Sequence, residues 1–176
     1  EEYRVLYTYL RNWHKNLDNE REVYERQLVR DFILILANTG MRFGEARRIK
    51  WNFVQVKKSP PSNDGRTNYP NVQIRIPAEL SKVRKDRTAI GMRGDIFGRI
   101  KTYSKHKHPQ DFVFAGFDTG EAVSKKTLYR LWDVIRAESG ITEFPEDYTY
   151  YSLRHTYATY RLQLGNVDVF TLSKVM

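Results

Sequence analysis

The stretch Thr39-Gly40-Met41-Arg42-Phe43-Gly44-Glu45-Ala46-Arg47-Arg48-Ile49-Lys50-Trp51 carries more information than any other part of this chain. Upstream of it, Leu28, Phe32, Ile35 and Leu36 recur at helical spacing, so a helix over residues 19–37 presents a core face. Gly40 then offers a left-handed position that stops this helix. A short helix is expected from residue 42 to about residue 50. Arg42 therefore falls near a helix N-terminus, where unpaired amides and the backbone dipole favour an anion. Glu45, three residues on, can reach back to orient the guanidinium. Taken alone, the pattern is also that of a structural Arg–Glu pair on a helix surface.

A second stretch far downstream, Tyr151-Ser152-Leu153-Arg154-His155-Thr156-Tyr157-Ala158-Thr159, again places an arginine where a helix start is expected. That helix should end near Gly165. Two guanidiniums brought together could grip one phosphate from two sides, because each presents a planar fork of donors. Between the two stretches the period changes from helical to alternating. Phe53-Val54-Gln55-Val56 and Val72-Gln73-Ile74-Arg75-Ile76 read as strands, and Arg87-Thr88-Ala89-Ile90 as a third. The turn formers of residues 59–65 imply a long exposed loop between the first two strands. Lys82 lies in the charged turn before the third strand, at a hairpin tip that could enter a DNA groove. Lysine supplies a compact proton donor whose pKa falls on desolvation or beside other cations. Charged hairpin turns are usually only solvated, so Lys82 says little by position alone.

Further helices are expected over residues 2–15, with Leu6, Leu10 and Trp13 on one side, and over residues 95–105. Phe112-Val113-Phe114 reads as a short buried extended segment. Ser124 can cap a helix running to about residue 139, with Leu128, Leu131, Trp132 and Ile135 inward and Gly140 as the stop. Residues 166–176 begin another helix, and the chain reads as cut within a domain. The fold class is α+β, mainly helical, with one small three-stranded antiparallel sheet.

The 176 residues suffice for one domain with a real core. A net charge of +9 and a pI near 9.7 suggest a polyanionic partner, nucleic acid before an anionic membrane surface. The basic residues are spread along the chain, which favours a folded basic face over a disordered arm. There is no cysteine, so disulfides, thiol catalysis and Cys-based zinc sites are excluded. No apolar run approaches membrane-spanning length, and no signal-peptide pattern opens the chain.

The two arginine boxes, in this order and with a lysine hairpin between them, resemble the catalytic domain of the tyrosine recombinases and phage integrases. The match covers essentially the whole chain: Arg42 and Glu45 in the first box, Lys82 in the hairpin, and Arg154, His155 and Thr156 in the second. The resemblance implies site-specific DNA recombination or integration through a 3′-phosphotyrosine intermediate, without metal or nucleotide cofactor. Arg42 and Arg154 would neutralise charge on the non-bridging oxygens, and Lys82 would protonate the leaving 5′-oxygen. Glu45 and His155 would support them. Phosphate contacts are expected from Lys57, Lys58, Arg84, Lys85, Arg87, Lys125 and Lys126.

This sequence departs from the family pattern at two points. Tyr151 stands where the family usually has a histidine, three residues before the second-box arginine. A phenol of pKa about 10 is a poor base at neutral pH but can hold a phosphate by a hydrogen bond. The family's nucleophilic tyrosine, and the His or Trp before it, are expected beyond Met176, and an N-terminal DNA-clamping domain before Glu1. The implied partners are double-stranded DNA, other protomers in a tetramer on paired sites, and accessory DNA-bending proteins. The implied setting is the bacterial cytoplasm, at the nucleoid. Two other readings stay open: a non-catalytic DNA-binding accessory protein derived from a recombinase, and a type IB topoisomerase, which shares the chemistry.

Overall fold

The computed structural model describes residues 2–58, 69–141, 148–163 and 167–176. The elements run α1 (Glu2–Leu10), α2 (Glu20–Thr39), α3 (Phe43–Arg47), a 3₁₀ turn (Trp51–Phe53), β1 (Val54–Lys57), β2 (Asn71–Ile76), β3 (Arg87–Gly91), α4 (Asp95–Tyr103), α5 (Lys125–Glu138), α6 (Tyr150–Gln163) and α7 (Val169–Val175). The mainly helical α+β class expected from the sequence is the one observed. The loop expected over residues 59–65 lies outside the described residues. Among the described residues, no helix is long and apolar enough to cross a membrane.

α2 is the axis of the molecule. The Asn19 side chain caps it by accepting from the Glu22 amide at 3.0 Å, a contact worth about 1 kcal/mol. Glu20 and Glu22 in its first turn complement the dipole. The sequence predicts a single core face, but residues 28–37 are buried on every side. A helix apolar all round is one that other elements surround, and here α3, α4, α5, α6 and β3 all pack on it. Asp31, wholly buried within that run, accepts from Arg30 (2.9 Å), Arg99 (2.5 Å) and the Tyr103 hydroxyl (2.9 Å). Those donors supply what water would otherwise have given the carboxylate.

The three strands form one antiparallel sheet in the order β1-β2-β3. The register pairs Val54 with Ile74 and Ile74 with Ala89. Val72, Ile74 and Ile76 turn inward while Gln73 and Arg75 turn out, the period-2 pattern of a half-buried sheet. α5 is capped by Ser124, whose hydroxyl accepts from the Thr127 amide at 2.9 Å, and Gly140 follows it at φ 67°.

Three boundaries depart from the sequence expectation. α1 ends at Leu10 rather than near residue 15, and turns lead through Asn16 at φ 60°. α3 has five residues, because Lys50 leaves the helix to bridge Phe112, and the Trp51 amide donates to the Asp111 carbonyl. α6 begins at Tyr150, so Arg154 lies a full turn inside it and not at its N-terminus.

Candidate phosphate-binding site

Arg42 sits immediately before α3, in extended backbone at φ −71° and ψ 145°. A guanidinium has no acceptor and cannot cap the helix amides itself. Glu45 instead reaches back, accepting from the Arg42 amide at 2.9 Å and from Arg42 Nη1 at 3.0 Å. The carboxylate is 2% exposed, while the Arg42 side chain remains about a third exposed. The neighbouring arginines of the box do structural work. Arg47 donates to the Val123 carbonyl at 3.0 Å, and Arg48 to the Gly44 carbonyl at 3.1 Å.

The second oxygen of Glu45 receives a third donor. Arg87 Nη2, from the first residue of β3, lies 2.5 Å from Glu45 Oε2, and its side chain is only 11% exposed. Arg87, expected among the phosphate-contacting cations, is thus largely buried and paired with a buried carboxylate. A signal for this was present in the sequence. Period-2 alternation puts Arg87 on the same face as Ala89 and Gly91, which are buried, and an inward arginine requires an acidic partner.

Arg154 completes the cluster from α6. Its guanidinium donates to the Gly40 carbonyl, and Nη2 donates to the Met176 carbonyl at 2.6 Å. Burial depresses its pKa first, then repulsion from Arg42 and from Arg87, with Glu45 opposing. Arginine stays protonated at any working pH all the same. Two guanidiniums thus share one carboxylate and a third lies near enough to be repelled by both, leaving a local excess of two positive charges (three less one). Such an excess in a half-buried place favours an anion.

Gly40 holds the two boxes together. It adopts φ 62°, the left-handed region, and its amide donates to the Leu36 carbonyl to end α2. A Cβ here would fall 2.4 Å from the ring of Tyr157 on α6. The Tyr157 hydroxyl donates in turn to the Ile90 carbonyl of β3 at 3.2 Å. The α2–α3 corner, α6 and β3 therefore meet at one point.

The remaining expected residues are placed as follows. Lys82 is exposed in the β2–β3 connection, which Asp86 closes by accepting from the Ala78 amide at 2.7 Å and from Arg75 at 3.2 Å. These contacts, the amide first, hold the Asp86 carboxyl below its usual range. Tyr151, in the first turn of α6, is 60% exposed, its ring edge-to-face with His155 at 4.9 Å. His155 is likewise exposed. Lys57, Lys58, Arg84, Lys85, Lys125 and Lys126 are all exposed.

Residues 2–176 match the model of the family described as "Phage integrase family". Among solved structures, the chain is similar to the XerH site-specific recombinase bound to difH substrate in a pre-cleavage complex, with TM-score 0.68 and 18% identity, over 98% of this chain and 44% of that one. It is equally similar to the post-cleavage complex of that recombinase with a palindromic difH substrate, with TM-score 0.68 and 18% identity, over 98% of this chain and 43% of that one. At that identity the likeness is one of fold. The chain spans less than half the length of either structure. Comparison with the curated proteins finds no match. With the family model covering all but the first residue, the chain belongs to the phage integrase family.

Proposed function

We propose that this chain supplies the phosphate-activating part of a DNA strand-breaking and rejoining site, in a site-specific recombinase working through a 3′-phosphotyrosine intermediate. The observation that carries the reading is the gathering of three guanidiniums from elements separated in sequence: Arg42 and Arg87 both bond Glu45, and Arg154, held by the Gly40 carbonyl at the same corner, lies close enough to be repelled by both. Arg42 and Arg154 bind the non-bridging oxygens of the scissile phosphate, where negative charge builds as the tyrosine oxygen attacks. Glu45 holds Arg42, and Tyr151 donates a hydrogen bond to the phosphate. His155 supports Tyr151 through their ring contact. The exposed cations Lys57, Lys58, Arg84, Lys85, Lys125 and Lys126 contact flanking phosphates of double-stranded DNA, so affinity falls steeply with salt. The complete protein acts as a tetramer on paired sites.

The test uses the full-length protein and a duplex selected for binding from a random-sequence library, labelled on one strand at either end. A covalent adduct that keeps the 5′ label and loses the 3′ label supports the reading. Tight binding without any adduct would leave the accessory DNA-binding reading in its place.

Lys82 is proposed to protonate the departing 5′-oxygen. Lys82→Ala should lower cleavage of an ordinary duplex by about 10²-fold or more, the range for losing a general acid. A 5′-bridging phosphorothiolate leaves as a thiolate and needs no proton, so it should restore cleavage. Absence of that rescue would count against the role.

Neither Tyr150 nor Tyr157 is free to act as the nucleophile, which the family resemblance puts outside residues 1–176. The Tyr150 hydroxyl is buried and donates to the Leu128 carbonyl at 2.8 Å, and the Tyr157 hydroxyl donates to the Ile90 carbonyl. On that resemblance, residues 1–176 alone are expected to bind DNA without cleaving it. Covalent capture of this piece on a nicked duplex, seen as a shifted band in denaturing gel electrophoresis, would disprove that.

A further inference from the structure

We infer that Arg87 is a positioning residue that holds the Lys82 hairpin in register with the Arg42–Arg154 pair; the inference rests on the recombinase reading above. Arg87 pairs with Ile76, and this is the last rung of the β2–β3 ladder before the turn that carries Lys82. Beyond it, Leu80 packs against the core, Ser81 is buried, and short-range bonds complete the connection. The Ser81 amide donates to the Pro77 carbonyl at 3.2 Å, and the Arg84 amide to the Ser81 carbonyl at 3.1 Å. Asp86 closes the base of the turn onto Ala78 and Arg75.

Arg84 sits at φ 50°, in the left-handed region, so the turn has a defined backbone path. The exposed tip from Lys82 to Asp86 thus projects from a base set by the end of the ladder on one side and by Leu80 and Ser81 on the other. At the ladder's end, Arg87 reaches across to Glu45 Oε2 at 2.5 Å, and the same carboxylate holds Arg42 by Oε1. One buried carboxylate therefore fixes both the phosphate grip and the root of the hairpin carrying the proton donor. A small rotation at the root is magnified at the tip, and proton transfer demands hydrogen-bond reach to the leaving oxygen.

In the reaction, the tyrosine hydroxyl gives its proton to solvent and its oxygen forms a bond to phosphorus as the bond from phosphorus to the 5′-oxygen breaks. That oxygen takes a proton from the Lys82 ammonium, leaving a neutral amine. If Arg87 acts through Lys82, its loss should resemble the loss of the proton donor. If it acts only through Arg42 or as scaffold, its loss should resemble the loss of the grip or of the fold.

The experiment compares full-length wild type, Arg87→Ala, Arg87→Gln and Lys82→Ala on the library-selected duplex. Each is assayed with an ordinary scissile diester and with a 5′-bridging phosphorothiolate at the mapped cleavage position. Arg87→Ala should lose about 10²-fold in cleavage of the ordinary diester, as for a misplaced general acid. Its duplex affinity should stay within a few-fold of wild type. The phosphorothiolate should return Arg87→Ala to near wild-type cleavage, as it returns Lys82→Ala. Should Arg87→Ala fail to fold, Arg87→Gln, which keeps one amide donor toward Glu45, is held to the same rescue. Rescue of Lys82→Ala without rescue of the Arg87 variants would overturn the inference and leave the recombinase reading standing. Absence of any wild-type adduct would overturn both.

Discussion

Arg154→Ala and Arg42→Ala should each reduce DNA cleavage by about 10³-fold or more, in the range seen when a cationic clamp on a transferring phosphoryl group is removed. Binding should weaken only modestly, because one phosphate contact among many is lost. The two variants should differ in stability. Arg42 is about a third exposed, and Glu45 keeps Arg87 when Arg42 is gone. Arg154 is buried, and its removal strips the Gly40 and Met176 carbonyls of their donor. An unsatisfied buried carbonyl costs about 1–3 kcal/mol, so Arg154→Ala should also melt several degrees lower while Arg42→Ala should not. Arg154→Lys keeps the charge but loses the planar fork, so it should recover little activity. Covalent-adduct yield and thermal melting on the same preparations check both parts. Near-normal cleavage by either alanine variant contradicts the assignment.

Gly40→Ala should be the most damaging Gly-to-Ala change among the described glycines. The φ of 62° costs an L-residue about 1–2 kcal/mol. The added methyl must also displace the Tyr157 ring, which would lie 2.4 Å away. Overpacking of this kind adds about 1–3 kcal/mol. For a domain of this size, 1 kcal/mol lowers Tm by about 2–4 °C, so a fall on the order of 10 °C is expected. Activity should fall further than stability, because Tyr157 and Arg154 share α6 and the Gly40 carbonyl accepts from Arg154. A melting curve unchanged from wild type would show that the corner is not the joint described here.

Much of this was legible in the sequence because it is local. Asn19 and Ser124 are caps, Gly40 and Gly140 are stops, and the alternation of Val72, Ile74 and Ile76 sets the face of β2. Glu45 could be paired with Arg42 because three residues on a helix bring them together. What was not legible depends on contacts distant in sequence. α3 is short because Lys50 pairs with Phe112, a partner that no helical period reveals. The all-round burial of α2 follows from five elements packing on it. Arg154 was expected at a helix start, yet α6 begins a turn earlier at Tyr150, whose ring fills the core between Phe32, Phe43 and Trp132. Arg87 was read as a surface cation because charge is visible in a sequence and its direction is not. Only the inward face it shares with Ala89 and Gly91 hinted at Glu45.

The central claim is that Arg42 and Arg154 neutralise charge on the scissile phosphate. The most direct measurement replaces that one phosphate with a neutral methylphosphonate and follows cleavage by full-length wild type and Arg154→Ala. A neutral linkage has less charge to offset, so Arg154→Ala should cleave it far better than it cleaves the natural diester, narrowing its deficit relative to wild type. An equal deficit on both linkages would mean that Arg154 acts elsewhere, and the charge-neutralising account of this site would fail.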